Sequence, residues 1–145
     1  MGARFRVRLG GKTSELSNKP VDCEVEVIGL ARDGRQSFGD AKTPTGDLAA
    51  LRIGGELDVI VNSHRTQAFG LELFTLCGID PRAKSLIVVK SAQHFHAAYG
   101  PIASEVLYSE TQGPSTQRYK THDYAKVQRP LYPLDKRPGE GMLLI

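Results

Sequence analysis

Hydrophobic positions repeat with a period of two over much of the first half of this 145-residue chain. Arg4–Leu9 alternates strictly, with Phe5, Val7 and Leu9 on one face and three arginines on the other, the pattern of a half-buried strand. Residues 21–27 alternate again, predicting Val21, Cys23, Val25 and Val27 inward. Asp33-Gly34 is a strong hairpin-turn signal and predicts a short return strand over 36–38. Residues 39–46 read as a loop, 48–53 as a strand, Gly54-Gly55 as a tight turn and 57–61 as a further strand. The expected arrangement is an antiparallel meander.

The second half changes character. Residues 71–76 carry a short apolar pattern, Gly78 suits a left-handed helix end and Pro81 blocks continuation, predicting a two-turn helix. Residues 86–89 are four consecutive apolar residues, which predicts a strand buried on both faces. Ser91 is placed to cap a short helix over 93–98, because its hydroxyl can take an orphan amide of the first turn. Pro101 opens another helical turn through 105, and 106–108 reads as one more strand. Past Thr111, glycines and prolines interrupt all periodicity, predicting an extended tail to Asp135 and a loose end over 136–145. The fold class expected is α+β, a strand-rich, largely antiparallel sheet with two or three short helices, in one domain over residues 1–135.

Composition narrows the function classes. With 40% apolar and 24% charged residues, the chain reads as an ordinary soluble domain, long enough to bury a core without metal or disulfide staples. A net charge of +3 is too small to imply nucleic acid or a membrane surface. No run approaches the roughly 18 apolar residues that span a bilayer, and no apolar leader follows Met1. Cys23 and Cys77 stand far apart in dissimilar contexts, so buried thiols in a reducing cytoplasm are the plainer reading. Gly10-Gly-Lys-Thr13 lacks the earlier glycine of a phosphate-binding loop, where Arg6 stands instead, and is expected to be a loop between strands.

The candidate chemistry lies where the apolar run 86–89 gives way to Lys90, Ser91, His94 and His96. Polar groups just past a buried strand end are where α/β sheets place ligand sites. Lys90 must carry its ammonium to solvent or to a carboxylate such as Glu72 or Asp80; as a functional group it would orient a substrate carboxylate or developing negative charge. Ser91 reads as a cap rather than a nucleophile, since no nucleophile elbow surrounds it. His94 and His96 share a face only on an extended segment, and no third ligand stands at a recognisable spacing, so a zinc site on this pair is the weaker alternative. The arginine face of the first strand and the tail of 118–137, with Tyr119, Tyr124 and Tyr132 among basic residues, invite comparison with nucleic-acid surfaces. Three arginines are few, and acidic residues and prolines dilute the tail, so both read as solvated surface.

Several stretches together resemble the carboxyl-terminal domain of the MlrC family, the microcystin-degradation-type zinc metallopeptidases. They are Leu9-Gly-Gly-Lys12, Asp33-Gly-Arg35, Gly54-Gly-Glu-Leu-Asp-Val-Ile-Val61 with Arg65 and Gln67, and Leu73-Phe74 with Gly78-Ile-Asp-Pro81. Val88-Val-Lys-Ser-Ala-Gln-His-Phe95, Pro101-Ile-Ala103 and Arg129-Pro-Leu-Tyr-Pro-Leu-Asp135 complete an ordered set. His96 and His64 stand where the family usually has arginine, and histidine is a poor substitute for a rigid guanidinium fork.

The resemblance implies a two-domain enzyme whose zinc site lies in an amino-terminal half absent from this sequence. The chain is then a truncated, split or remnant form, not catalytic alone and binding no zinc by itself, with Lys90, Ser91 and His94 lining a peptide-binding cleft. Hydrolysis in the intact family would use a zinc-activated water. The partners implied are a peptide substrate and a separately encoded metal-binding half. The alternative is a non-catalytic interaction module that self-associates as a homo-oligomer or binds another protein.

Overall fold

The computed structural model describes residues 1–12, 15, 17–109, 120 and 123–136. Within them the chain divides into two units. One holds residues 1–10 and 20–107; the other holds 11–19 and 108–145.

The first unit is built on a four-stranded antiparallel sheet in the order β1-β2-β3-β4. Its strands are β1 (Arg4–Leu9), β2 (Val21–Phe38), β3 (Ala41–Ile53) and β4 (Leu57–Asn62). The period-two segments form strands where the sequence places them, and the Gly54-Gly55 turn joins β3 to β4 with both glycines at positive φ. The meander is therefore as expected, strand-rich with few helices. Several features depart from the sequence reading, among them the two-turn helix expected over 71–76, which is the single turn Glu72–Thr75.

Asp33-Gly34 is not a hairpin turn. Asp33 does adopt a left-handed backbone (φ 47°), but as an irregularity inside β2, with register shifts between Ala31 and Gly34 and between Gly34 and Arg35. The Asp33 N–H donates to the Asp47 carboxylate across the hairpin at 3.1 Å. Pairing then continues through Gln36 with Thr43 to Phe38 with Ala41, so 41–46 is strand rather than loop. Gly39 and Asp40 make the turn, and a glycine at positive φ in the first of two loop positions suits a type II′ hairpin. A bulge bends the strand that carries it, so the β2–β3 hairpin curls.

The apolar run 86–89 is not a buried strand. It carries no regular structure and no strand pairing, and Leu86 and Val88 are 76% and 82% exposed. Residues 106–108 likewise form no strand. Among the described residues neither segment pairs with β1 or β4, the two edge strands of the sheet.

One face of the sheet is covered by the segment after β4. Leu48 and Ala50 of β3 pack with Leu73, Cys77 and Ile79, and Ile28, Ala31, Ile60 and Phe74 surround them. Leu73 and Phe74 sit on α1 (Glu72–Thr75). Its end closes as expected around Gly78 (φ 77°): the Gly78 N–H donates to the Thr75 carbonyl and the Ile79 N–H to the Phe74 carbonyl. Those two bonds are the Schellman pattern, and Ile79 and Phe74 supply its apolar contact. A 3-10 turn over Pro81–Ala83 follows, then the irregular 84–91, α2 (His96–Tyr99) and a 3-10 turn over Gly100–Ile102. Both cysteines are free thiols. In the second unit, Arg129 grips Asp135 through two nitrogens, and the Leu131 N–H donates to the same carboxylate. From residue 137 on, the expected loose end lies outside the described residues, as do Thr13, Arg118 and Tyr119.

The helix can approach β2 closely because Gly29 has no side chain. A Cβ built there would lie 2.1 Å from the Cys77 carbonyl oxygen. We therefore predict that Gly29→Ala forces α1 off the sheet and costs about 2 kcal/mol of stability. Urea unfolding checks this; wild-type stability in the variant would show that the close approach is not what holds the helix down.

Candidate functional site

The site begins with a polar residue in the sheet. Gln36 on β2 is fully buried and meets the irregular loop 66–70 that leaves β4. Its Nε2 donates to the Gln67 carbonyl at 2.7 Å and to the Thr66 hydroxyl at 3.3 Å. Its Oε1 accepts the N–H groups of Phe69 at 2.9 Å and Gly70 at 3.2 Å. A loop with no ladder of its own thus has its backbone groups satisfied by one side chain. The buried Tyr99 hydroxyl donates to the Gly70 carbonyl at 2.9 Å and ties α2 to the same loop. Burial, with the nearby Glu72 charge, pushes the Tyr99 phenol up to about 12, so it stays a donor at ordinary pH.

Fixing the loop backbone aims the Gln67 side chain. Its Oε1 accepts the Ser91 hydroxyl at 3.2 Å and faces His94 Nδ1 at 3.2 Å. In the neutral tautomer that donates from Nδ1 to this oxygen, Nε2 keeps its lone pair. The His94 ring stands edge-on to Phe38 and Phe69, with centroids 5.2 and 5.6 Å away, and those two rings lie 4.6 Å apart. Phe38, Phe69 and His94, with Glu72, Thr75 and Ala97, line a cleft of about 430 Å³.

A carboxylate is fixed in the cleft wall. Glu72 accepts the Ser37 hydroxyl and Lys42 Nζ at 3.2 Å, and Lys42 also reaches the Ser37 oxygen at 2.6 Å. Partial burial opposes its ionisation. Hydrogen bonds from the Ser37 hydroxyl, nearby backbone N–H groups and Lys42 outweigh that, and hold the carboxyl at about 2. A Cβ at Gly70 would lie 2.1 Å from Glu72 Oε2 and 3.1 Å from the Ser37 backbone, so a larger residue there would displace the carboxylate.

Of the residues singled out from sequence, Ser91 and His94 are brought together, on Gln67. Ser91 is not a helix cap: α2 begins after Phe95 with no side-chain cap. Lys90 is exposed and makes no hydrogen bond or ion pair among the described residues. Neither carboxylate considered for it pairs with it: Glu72 accepts from Lys42, and Asp80 accepts the Arg82 N–H at 2.9 Å. His96 opens α2 with its ring tilted against Phe95. His64 lies in the exposed turn after β4, its N–H bonded to the Thr45 carbonyl. Sequence reasoning did not reach Gln36, Phe38, Phe69 or the role of Gln67. A lone glutamine in an alternating strand gives no sign that its face is buried.

Residues 1–126 match the family model described as MlrC C-terminus. The chain belongs to this family. Among its relatives, Microcystinase C of Sphingomonas sp is 31% identical over 135 residues, covering 93% of this chain. The chain spans 26% of that relative's length. Gln36, Gln67, Ser91 and His94 all fall inside the matched range. Among the described residues no three His, Cys, Asp or Glu side chains are grouped where they could hold a metal ion, and His94 Nδ1 faces Gln67 Oε1.

Two predictions arise from this geometry. Replacing Gln36 with Leu strands two loop N–H groups and a carbonyl, and is expected to cost about 3 kcal/mol. Chemical denaturation reads the loss; a variant as stable as wild type would remove Gln36 from its anchoring role. The second concerns acid. Glu72 in the folded state sits below its ordinary 4.5, so its contribution is full above about pH 4.5 and is lost as pH falls toward 2. Asp58, held at about 2 chiefly by its hydrogen bond from Arg52, acts with the same sign below its ordinary 3.8. Glu72→Gln should therefore lose less stability than wild type between pH 5 and 2, leaving the Asp58 part; an unchanged acid limb refutes the assignment.

Proposed function

We propose that this chain serves as the carboxyl-terminal part of an MlrC-like zinc metallopeptidase, forming one wall of a peptide-binding cleft and not catalysing hydrolysis alone. The observation that carries this reading is the convergence of Ser91 and His94 on Gln67 beside an aromatic cleft, inside the stretch that matches the family. Phe38 and Phe69 offer apolar surface to a peptide side chain. His94 Nε2 can accept a peptide N–H, with Ser91 and Gln67 fixing the ring. The Lys90 ammonium, without a carboxylate partner among the described residues, is suited to a substrate carboxylate.

The relative's name makes microcystin the compound on which that protein acts. For this chain we take only the broader class, a peptide. The metal is assigned to the three quarters or so of such a protein that this match does not cover, and no bond-breaking step is assigned to the residues described here. Free Cys23 and Cys77 are in keeping with work in the cytoplasm. No helix among the described residues is long and apolar enough to cross a membrane.

A second reading, a non-catalytic module that self-associates, draws on Phe5, Val21 and Leu57, which lie exposed at the margins of the sheet. Reconstitution separates the two. Purified chain should cleave no peptide and retain no stoichiometric zinc. Adding the portion of Microcystinase C outside the matched stretch should produce zinc-dependent peptidase activity, and His94→Ala should lower its kcat/KM by about tenfold or more. Cleavage by the chain alone, or full activity in His94→Ala, would defeat the proposal.

A further inference from the structure

Two segments behave as strands that lack a sheet. Residues 85–90 alternate in exposure, with Ile87 and Val89 half-buried and Leu86, Val88 and Lys90 exposed. Residues 105–107 repeat this, with Val106 half-buried between exposed Glu105 and Leu107, the latter 77% exposed. Lys84 and Ala103, which lead into them, already have extended backbones. Among the described residues no hydrogen bond reaches 85–90 or 104–107. Backbone N–H and C=O groups in apolar, β-branched sequence are normally paired, and an unpaired row of them is a template for another strand.

The spacing adds a constraint. Residues 91–102 lie between the segments and contain α2 and the following 3-10 turn. A crossover between parallel strands takes about a dozen residues and is usually helical. The pair therefore has the form of a β-α-β unit from which the sheet is missing.

We propose that residues 85–90 and 104–107 pair with a sheet edge supplied by the portion of an MlrC-type polypeptide outside the stretch that this chain matches. This rests on the reading of the chain as the carboxyl-terminal part of such a protein, and names how the two portions join. Three observations favour that occupant over a second copy. The matched relative extends far beyond this stretch, which makes up only 26% of it. An isolated pair of strands is marginal in water, and a larger sheet with an apolar face supplies what a pair lacks. Residues 85–90 also run directly into Ser91 and His94, so a sheet joined there would end its strands at the aromatic cleft, where such sheets hold ligands.

Amide hydrogen exchange on the full chain tests this, alone and mixed with the portion of Microcystinase C outside the matched stretch. Alone, amides of 86–90 and 104–107 should exchange almost without protection, while those of 49–51 in β3 are slow. In a one-to-one complex the first two sets should slow by on the order of a hundredfold. Val88→Lys and Leu107→Lys should each weaken the complex by about tenfold or more, with β3 protection unchanged as the control for folding. A complex in which 86–90 and 104–107 stay fast overturns this inference and leaves the proposed function standing. Absence of any complex overturns both. Protection of the same amides in the chain alone, lost on dilution, would identify a second copy as the occupant and overturn the one proposed.

Discussion

The carboxamide of Gln36 is the constraint on which the candidate site depends. A loop that leaves a sheet without turning into helix or strand must still satisfy its backbone groups, and each one buried unmet costs about 1–3 kcal/mol. Gln36 meets four partners at once, two as donor and two as acceptor, from a position with no access to solvent. Because an amide has fixed donor and acceptor ends, the loop has one arrangement rather than several. Gln67 inherits that rigidity, and passes it to Ser91 and His94 through a single oxygen. Tyr99 closes the circuit from the far side by holding the Gly70 carbonyl.

Elsewhere apolar packing outweighs charge. Arg4–Glu26 and Arg8–Asp22 pair across β1 and β2 in the open, where such pairs contribute little. Each core side chain such as Leu48, Leu73 or Ile79 gives about 1.5–3 kcal/mol by leaving water. Asp58 differs from the surface pairs. Its carboxylate is buried, takes two bonds from Arg52 and a third from Lys84 at 2.6 Å, and would be costly left alone. It ties β4 to the segment that follows the Pro81–Ala83 turn, and so fixes where residues 85–90 start. The Arg52–Asp58–Lys84 cluster and the Gln36 hub thus anchor the two ends of the stretch between β4 and residue 85.

Much of the fold was legible because its signals are local. The alternation of Phe5, Val7 and Leu9, the Gly54-Gly55 turn and the Gly78 helix end each depend on neighbours within a few residues, and each stands where the sequence predicts. Asp33-Gly34 shows the limit of that logic. The dipeptide does encode a left-handed backbone, but that conformation serves a bulge as readily as a turn. Only the partner strand decides between them, and Asp47, fourteen residues on, makes the bond that does so. Of the candidate site, the change in polarity after residue 89 points to Ser91 and His94. It does not point to Gln36, Phe38 or Phe69, since their role is set by contacts across some thirty residues.

The misreading of residues 86–89 has a different cause. Four apolar, β-rich residues encode a buried strand, and the physical argument from burial is sound on its own terms. What it cannot specify is which polypeptide provides the burial. Isolated leucine and valine on a surface are ordinary. Here Leu86, Val88 and Leu107 lie in segments that, among the described residues, also lack backbone hydrogen bonds, and the two segments flank α2, whose Ala97 and Ala98 line the cleft. Exposed positions in a chain that met only water would place no demand for apolar residues. That these three are apolar is accounted for if selection acted on a larger sheet, in which case the cleft described here is one wall of a site completed by the same joint.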